Sequence, residues 1–122
     1  MEIFREFEFE AAHYLPHVPH GHKCRNLHGH SYHVRIDVRG PIDPEHGWVL
    51  DYADIDHAFA GLHRQLDHHC LNDIEGLDNP TSEMLAIWIW DRLPADLPRT
   101  CVTVWESKRG GCVYRGHATE GA

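Results

Sequence analysis

The densest chemical signal in the chain is the run Cys24-Arg25-Asn26-Leu27-His28-Gly29-His30. On an extended strand His28 and His30 lie on one side with Cα atoms about 6.5 to 7 Å apart. Two imidazoles so placed can converge on one metal ion at about 2.0 to 2.1 Å each. Gly29 between them keeps bulk off the opposite face. A third imidazole from a neighbouring strand would complete a three-histidine site, and His13, which ends the first alternating segment on its apolar parity, is the candidate. Three histidines leave one position of a zinc ion open, the arrangement in which the metal acts as a Lewis acid on a bound oxygen. Cys24 has two readings at this stage. It could close the site as an inert fourth ligand, or it could be a reactive thiol whose thiolate a nearby dication, His22 and Lys23 would favour. Chance pairs are expected among thirteen histidines. What lifts this pair above chance is its place on the inward face of a strand, where unpaired polar groups are costly.

Two further groups could carry chemistry. Asp67-His68, inside Leu66-Asp67-His68-His69-Cys70, could be an acid/base pair in which the carboxylate fixes the imidazole tautomer. Equally, these residues could be the polar end of a helix, where histidine meets the dipole favourably, and the segment alone favours that plainer reading. Glu106 shares strand parity with Val102 and Val104. A carboxylate on an inward face needs donors, and the paired N–H groups of a guanidine-like edge, as in a pterin or guanine, would satisfy it in a bidentate way. The alternative is a strand end that has emerged into solvent.

The elements that must position these groups are legible from periodicity. Odd positions from Ile3 to His13 carry Ile3, Phe7, Phe9, Ala11 and His13, an alternation that predicts a half-buried strand. From His28 to Val38 the even positions, His28, His30, Tyr32, Val34, Ile36 and Val38, share one face. Pro16, Pro19 and Gly21 make the intervening histidine-rich segment a loop. Ile55, Ala58, Phe59, Leu62 and Leu66 predict an amphipathic helix over 54–66 capped by Asp51 or Asp54. A second helix is expected from about Ser82 to Leu93, closed by Pro94 and apolar nearly all round, so it needs cover on more than one side, from the sheet and from another subunit. Cys101–Ser107 and Cys112–Gly116 flank Lys108-Arg109-Gly110-Gly111 as a hairpin. The order ββααββ predicts an α+β fold, a four-stranded antiparallel sheet with two helices on one face.

Bulk properties narrow the classes. A chain of 122 residues suits a single domain spanning 1–122, with room for one site. A net charge of −8 argues against nucleic acid as a partner. No run approaches the roughly 20 apolar residues of a membrane span, and no leader pattern opens the chain. Four cysteines without a C-x-x-C pair read as reduced thiols of a cytoplasmic protein.

Taken in order, Phe9-Glu10-Ala11-Ala12-His13, His22-Lys23-Cys24, His28-Gly29-His30, Leu66-Asp67-His68-His69, Asn79-Pro80-Thr81-Ser82-Glu83 and Trp105-Glu106-Ser107 resemble the 6-pyruvoyltetrahydropterin synthase family of the tunnelling-fold group, over Phe7 to about Gly116. The resemblance implies Zn2+ on His13, His28 and His30, Cys24 as catalytic thiol, and Asp67 and His68 as the acid/base pair. It also implies that Glu106 anchors the pterin ring, with the backbone around Thr81 and Ser82 completing that pocket. By the same resemblance the chain forms homohexamers, two stacked trimers whose sheets close into a barrel, with sites between subunits. The pyruvoyl enzymes carry a longer spacer between cysteine and first histidine than Arg25, Asn26 and Leu27 provide here. The likeness is therefore greatest to the 6-carboxytetrahydropterin synthase branch of 7-deazaguanine and queuosine biosynthesis. The implied lyase reaction converts 7,8-dihydroneopterin triphosphate to 6-carboxy-5,6,7,8-tetrahydropterin, acetaldehyde and triphosphate. Lys23, Arg25, Lys108 and Arg109 are the cations available for the triphosphate. Cys70 departs from the family, which carries an aromatic residue there. The rival readings are 6-pyruvoyltetrahydropterin synthase, an aldolase of the same fold, and a non-enzymatic histidine-rich metal-binding protein.

Overall fold

The computed structural model describes residues 1–117. Two long strands, β1 (Glu2–His13) and β2 (His28–Arg39), pair antiparallel along their whole length. Helix α1 (Tyr52–Leu66) follows, then a two-residue strand β3 (His69–Cys70), helix α2 (Ser82–Arg92), and the hairpin β4 (Arg99–Ser107) and β5 (Gly110–Tyr114). The strand order is β3-β1-β2-β4-β5.

The expected sheet of four antiparallel strands is therefore corrected to five, with β3 parallel to β1 through Ala11↔His69 and Ala12↔Cys70. The added strand is made by the chain reversal after α1. His68 N–H donates to Glu10 O at 2.6 Å, and Glu10 N–H donates to Asp67 Oδ1 at 3.0 Å. Two residues are too few to show an alternation, so this strand leaves no periodic signal.

Register explains why the alternations matter. Phe9 faces Tyr32, Ala11 faces His30 and His13 faces His28; Val34 and Ile36 face Val104 and Val102 on β4. One side of the sheet is thus aliphatic in its middle and histidine-rich at one end. Both helices cover that side. Asp51 caps α1, accepting from Ala53 N–H at 2.9 Å, and Ile55, Phe59, Leu62 and Leu66 are its buried stripe. At roughly 1.5 to 3 kcal/mol per large side chain removed from water, this stripe fixes the helix on the sheet. Thr81 caps α2 through Met84 N–H, and Leu85, Ala86, Trp88 and Ile89 are buried.

The second cover expected for α2 comes in part from its own chain. Trp90 packs edge-on against Tyr114 at 5.5 Å. It also fills the space beside Gly116, where a Cβ would lie 2.6 Å from the indole. Met84 remains exposed. Among the described residues no helix is long and apolar enough to cross a membrane.

Candidate metal centre

The histidine-rich end of the sheet gathers His13 from the last position of β1, His28 and His30 from the start of β2, and Glu106 from β4. Their ligand atoms all lie within 4.8 Å of one another. His13 is fully buried. Its Nδ1 lies 2.8 Å from Pro80 O, a carbonyl that can only accept, so the neutral ring carries its proton on Nδ1 and presents a bare Nε2. His28 is held in the same way by Asn26 O, 2.6 Å from its Nδ1. The two Nε2 atoms then face each other at 3.1 Å. Two lone pairs at that distance repel unless a cation lies between them.

His30 adds a second indication. Its buried Nε2 has no hydrogen-bond partner, although Glu106 Oε1 is 2.8 Å away. Burial holds its pKa below the ordinary histidine value, outweighing the opposing effect of the Glu106 charge, and the neighbouring His13 and His28 lower it further. A neutral imidazole with a free lone pair is the form that ligates metal. The three rings meet nearly edge to face, with centroids 4.6, 4.9 and 5.0 Å apart. This donor set, three imidazoles and one carboxylate, fits a divalent metal ion.

Tyr32, legible in the sequence only as a core position, borders the centre. Its ring stacks on Phe9 and stands edge-on to both His13 and His30. Its hydroxyl is 3.1 Å from His13 Nδ1. Burial, and secondarily the Glu106 charge, push its pKa upward, so the phenol stays neutral. Its parity with His28 and His30 was the available signal. The carbonyls of Pro80 and Asn26 had none, because any residue supplies a carbonyl.

Cys24 sits on a short 3-10 turn, Lys23–Arg25. Its carbonyl accepts from Leu15 N–H at 2.8 Å, which ties the neck of the loop and keeps Cys24 at the same end of the molecule as His13 and His28. Its thiol is outside the converging donor set. Arg25 is committed to the same loop, donating to Pro16 O and Val18 O at 3.2 and 2.9 Å.

Asp67 and His68 are outside the converging donor set. Asp67 Oδ2 lies 3.0 Å from His68 Nδ1, and the Asp67 carboxyl is held below its usual pKa, first by Glu10 N–H and then by His68. The His68 side chain is 77% exposed. It borders an open cavity of about 500 Å³ whose lining includes Glu10, Ala12, Gly29 and Ser31 and also His30 of the donor set. His68 is also the one non-glycine residue with positive φ, 60°, among those described. A conformation of this kind costs on the order of 1 kcal/mol and gathers at functional sites.

Thr81 Oγ1 is occupied in capping α2, and Ser82 Oγ contacts Glu83. What this segment offers the centre is backbone, the Pro80 carbonyl. Lys108 lies on the far face of the sheet, beside Glu6, Glu8 and Trp105.

Comparison with known proteins gives the same direction. A family model described as 6-pyruvoyl tetrahydropterin synthase matches residues 2–117. The chain is 45% identical over 96 residues to the 6-carboxy-5,6,7,8-tetrahydropterin synthase of Synechocystis, covering 75% of this chain and 73% of that protein. It is 34% identical over 113 residues to the dihydroneopterin monophosphate aldolase of Pyrococcus furiosus, covering 89% and 92%. The solved 6-pyruvoyl tetrahydropterin synthase of Caenorhabditis elegans superposes with a TM-score of 0.87 at 28% identity, over 95% of both chains.

Proposed function

This chain belongs to the 6-pyruvoyl tetrahydropterin synthase family, and on that premise we propose that it is a zinc-dependent carbon–carbon lyase of the 6-carboxytetrahydropterin synthase kind. It converts 7,8-dihydroneopterin triphosphate to 6-carboxy-5,6,7,8-tetrahydropterin, acetaldehyde and triphosphate. The observation that carries the reading is the convergence of three Nε2 atoms, two of them left bare by backbone carbonyls at Nδ1 and the third buried without a hydrogen-bond partner.

His13, His28 and His30 hold the ion. When bound, zinc supplies a Lewis acid that polarises the substrate's side-chain oxygens and acidifies the adjacent C–H. The Cys24 thiolate removes that proton. Asp67 keeps the proton of His68 on Nδ1, leaving Nε2 to take or return protons on the other side of the substrate. Redistribution of the double bond lets triphosphate leave, and cleavage of the side-chain carbon–carbon bond, with one water added at the carbon that becomes the carboxyl group, releases the two-carbon fragment as acetaldehyde. Glu106 accepts the guanidine-like edge of the pterin, with the backbone at Thr81 and Ser82 completing the pocket. Each site takes Asp67 and His68 from a neighbouring copy, a reading supported by their place outside their own chain's donor set and by the exposure of the His68 side chain. The assembly is the homohexamer of two stacked trimers.

With Arg25 bound to loop carbonyls and Lys108 on the far face, Lys23 and Arg109 remain as this chain's cations for the triphosphate. The test is incubation of the zinc-loaded protein with dihydroneopterin triphosphate and identification of the pterin. 6-Carboxytetrahydropterin with acetaldehyde is expected. A 6-pyruvoyl product would assign the chain to the pyruvoyl enzymes. Cleavage confined to a monophosphate substrate would favour the aldolase reading, which the 92% coverage of that relative keeps in view.

A further inference from the structure

Glu106 has been given one task, holding the pterin, but its position fits a second. Its Oε1 lies 2.8 Å from His30 Nε2 and 3.2 Å from His13 Nε2. The shorter contact is not a hydrogen bond, since His30 Nε2 has no hydrogen-bond partner. The imidazole lone pair therefore points past the oxygen, toward a point that both atoms flank. Two atoms about 2.0 to 2.1 Å from a tetrahedral zinc ion stand about 3.3 Å apart. The separations seen here, 3.1 Å between His13 and His28 and 3.2 and 2.8 Å to Glu106, are near that edge length. All four ligand atoms lie within 4.8 Å of one another, so the carboxylate is placed as a donor to the same ion as the histidines.

The backbone places the carboxylate there deliberately. Trp105 pairs with Gly111 and Ser107 with Gly110, so Glu106 is the extra residue of a bulge, the device by which a strand re-aims a side chain beside a site. The bulge requires glycine opposite, because a Cβ on Gly111 would lie 2.2 Å from Val104 O.

We infer that Glu106 is the fourth member of the metal-binding set in the resting protein, and that its carboxylate leaves that set when the pterin ring arrives. The inference rests on the zinc and pterin reading above. Bidentate recognition of a pterin edge uses both carboxylate oxygens, whereas Oε1 is engaged at the centre in the resting state. The two tasks thus belong to two states of one side chain. With the metal bound, the exchange would be of ligands only: the carboxylate would leave the ion for the ring N–H groups and so free one position. Turnover is thereby coupled to recognition, since the position opens only for a ligand that satisfies the carboxylate.

The experiment uses the full chain loaded with Co2+, with metal affinity measured by chelator competition and ligand geometry read from the visible absorption of the bound ion. Glu106→Gln, isosteric but uncharged, is expected to weaken Co2+ at least tenfold and to change the absorption band. Glu106→Asp, which withdraws the oxygens by one methylene, should also weaken it. An oxidised pterin carrying a hydroxylated side chain should shift the band of the unmodified protein and leave that of Glu106→Gln unmoved. Thermal melting of the metal-free variants verifies that they fold. If both variants bind Co2+ with unchanged affinity and spectrum, Glu106 is a pterin anchor only and the inference is overturned. If the unmodified protein takes up no tight Co2+, it is the three-histidine reading itself that fails, a distinct result.

Discussion

If each catalytic centre draws Cys24 from one chain and Asp67 and His68 from another, two inactive variants must rescue one another. Cys24→Ala removes the thiol while leaving the donor set of His13, His28, His30 and Glu106 intact. Asp67→Asn keeps an acceptor for Glu10 N–H but places an amide against His68 Nδ1, where the carboxylate now sits at 3.0 Å. The ring must then present its proton on the wrong nitrogen. Each variant alone is expected to lose about 10² to 10⁴ in kcat, the usual worth of a positioned acid or base. In assemblies mixed at random from equal amounts, half the Cys24 positions and half the Asp67 positions are intact. Sites combining the two therefore make up about a quarter of the total in a symmetric oligomer. Coexpressed and copurified mixtures should recover about that fraction of normal turnover, while zinc content stays at one per chain in every sample. A mixture no more active than the sum of its parts would refute the shared site. Loss of zinc from Cys24→Ala would instead make the thiol a ligand.

Three further outcomes follow from the same geometry. Tyr32→Phe removes the hydroxyl 3.1 Å from His13 Nδ1 but keeps the ring between His13 and His30. Zinc affinity should fall about tenfold by chelator competition, as for other groups that orient a ligand, while the melting temperature of the metal-free protein moves little. Acid should destabilise the metal-free protein from about pH 6.5 downward. The folded-state pKa of His30 lies below that of the unfolded chain, so between the two values the unfolded state binds more protons and stability falls with pH; a melting temperature flat from pH 7 to 5 would contradict this. Gly111→Ala forces a Cβ to within 2.2 Å of Val104 O, and should cost about 1 to 3 kcal/mol in denaturant melts and weaken metal binding by displacing Glu106.

How much of this was legible in the sequence depends on whether a feature has a period. The parity of His13 and that of His28 and His30 were readable, because twelve-residue strands repeat the alternation often enough to fix it, and the donor cluster follows once β1 and β2 are paired. Helix starts were readable because Asp51 and Thr81 are residues whose side chains cap. The strand at His69 and Cys70 was not, and neither were the carbonyls of Asn26 and Pro80 that fix two imidazole tautomers, since backbone acceptors are common to every residue. Asp67 and His68 had a helix-end reading that the structure bears out locally, as Asp67 does end α1. Only the exposure and the positive φ of His68 set them apart.

Glu106 is the most instructive case. Its parity with Val102 and Val104 correctly predicted an inward carboxylate, and an inward carboxylate needs positive partners. Parity could not say which partners, because the bulge at Glu106 breaks the alternation at the residue that matters. Where the chain departs from its period, the side chain is aimed by the glycine on the opposite strand rather than by its own neighbours. Gly111, read from sequence as a turn residue, is what the bulge at Glu106 needs opposite it, since a Cβ there would lie 2.2 Å from Val104 O.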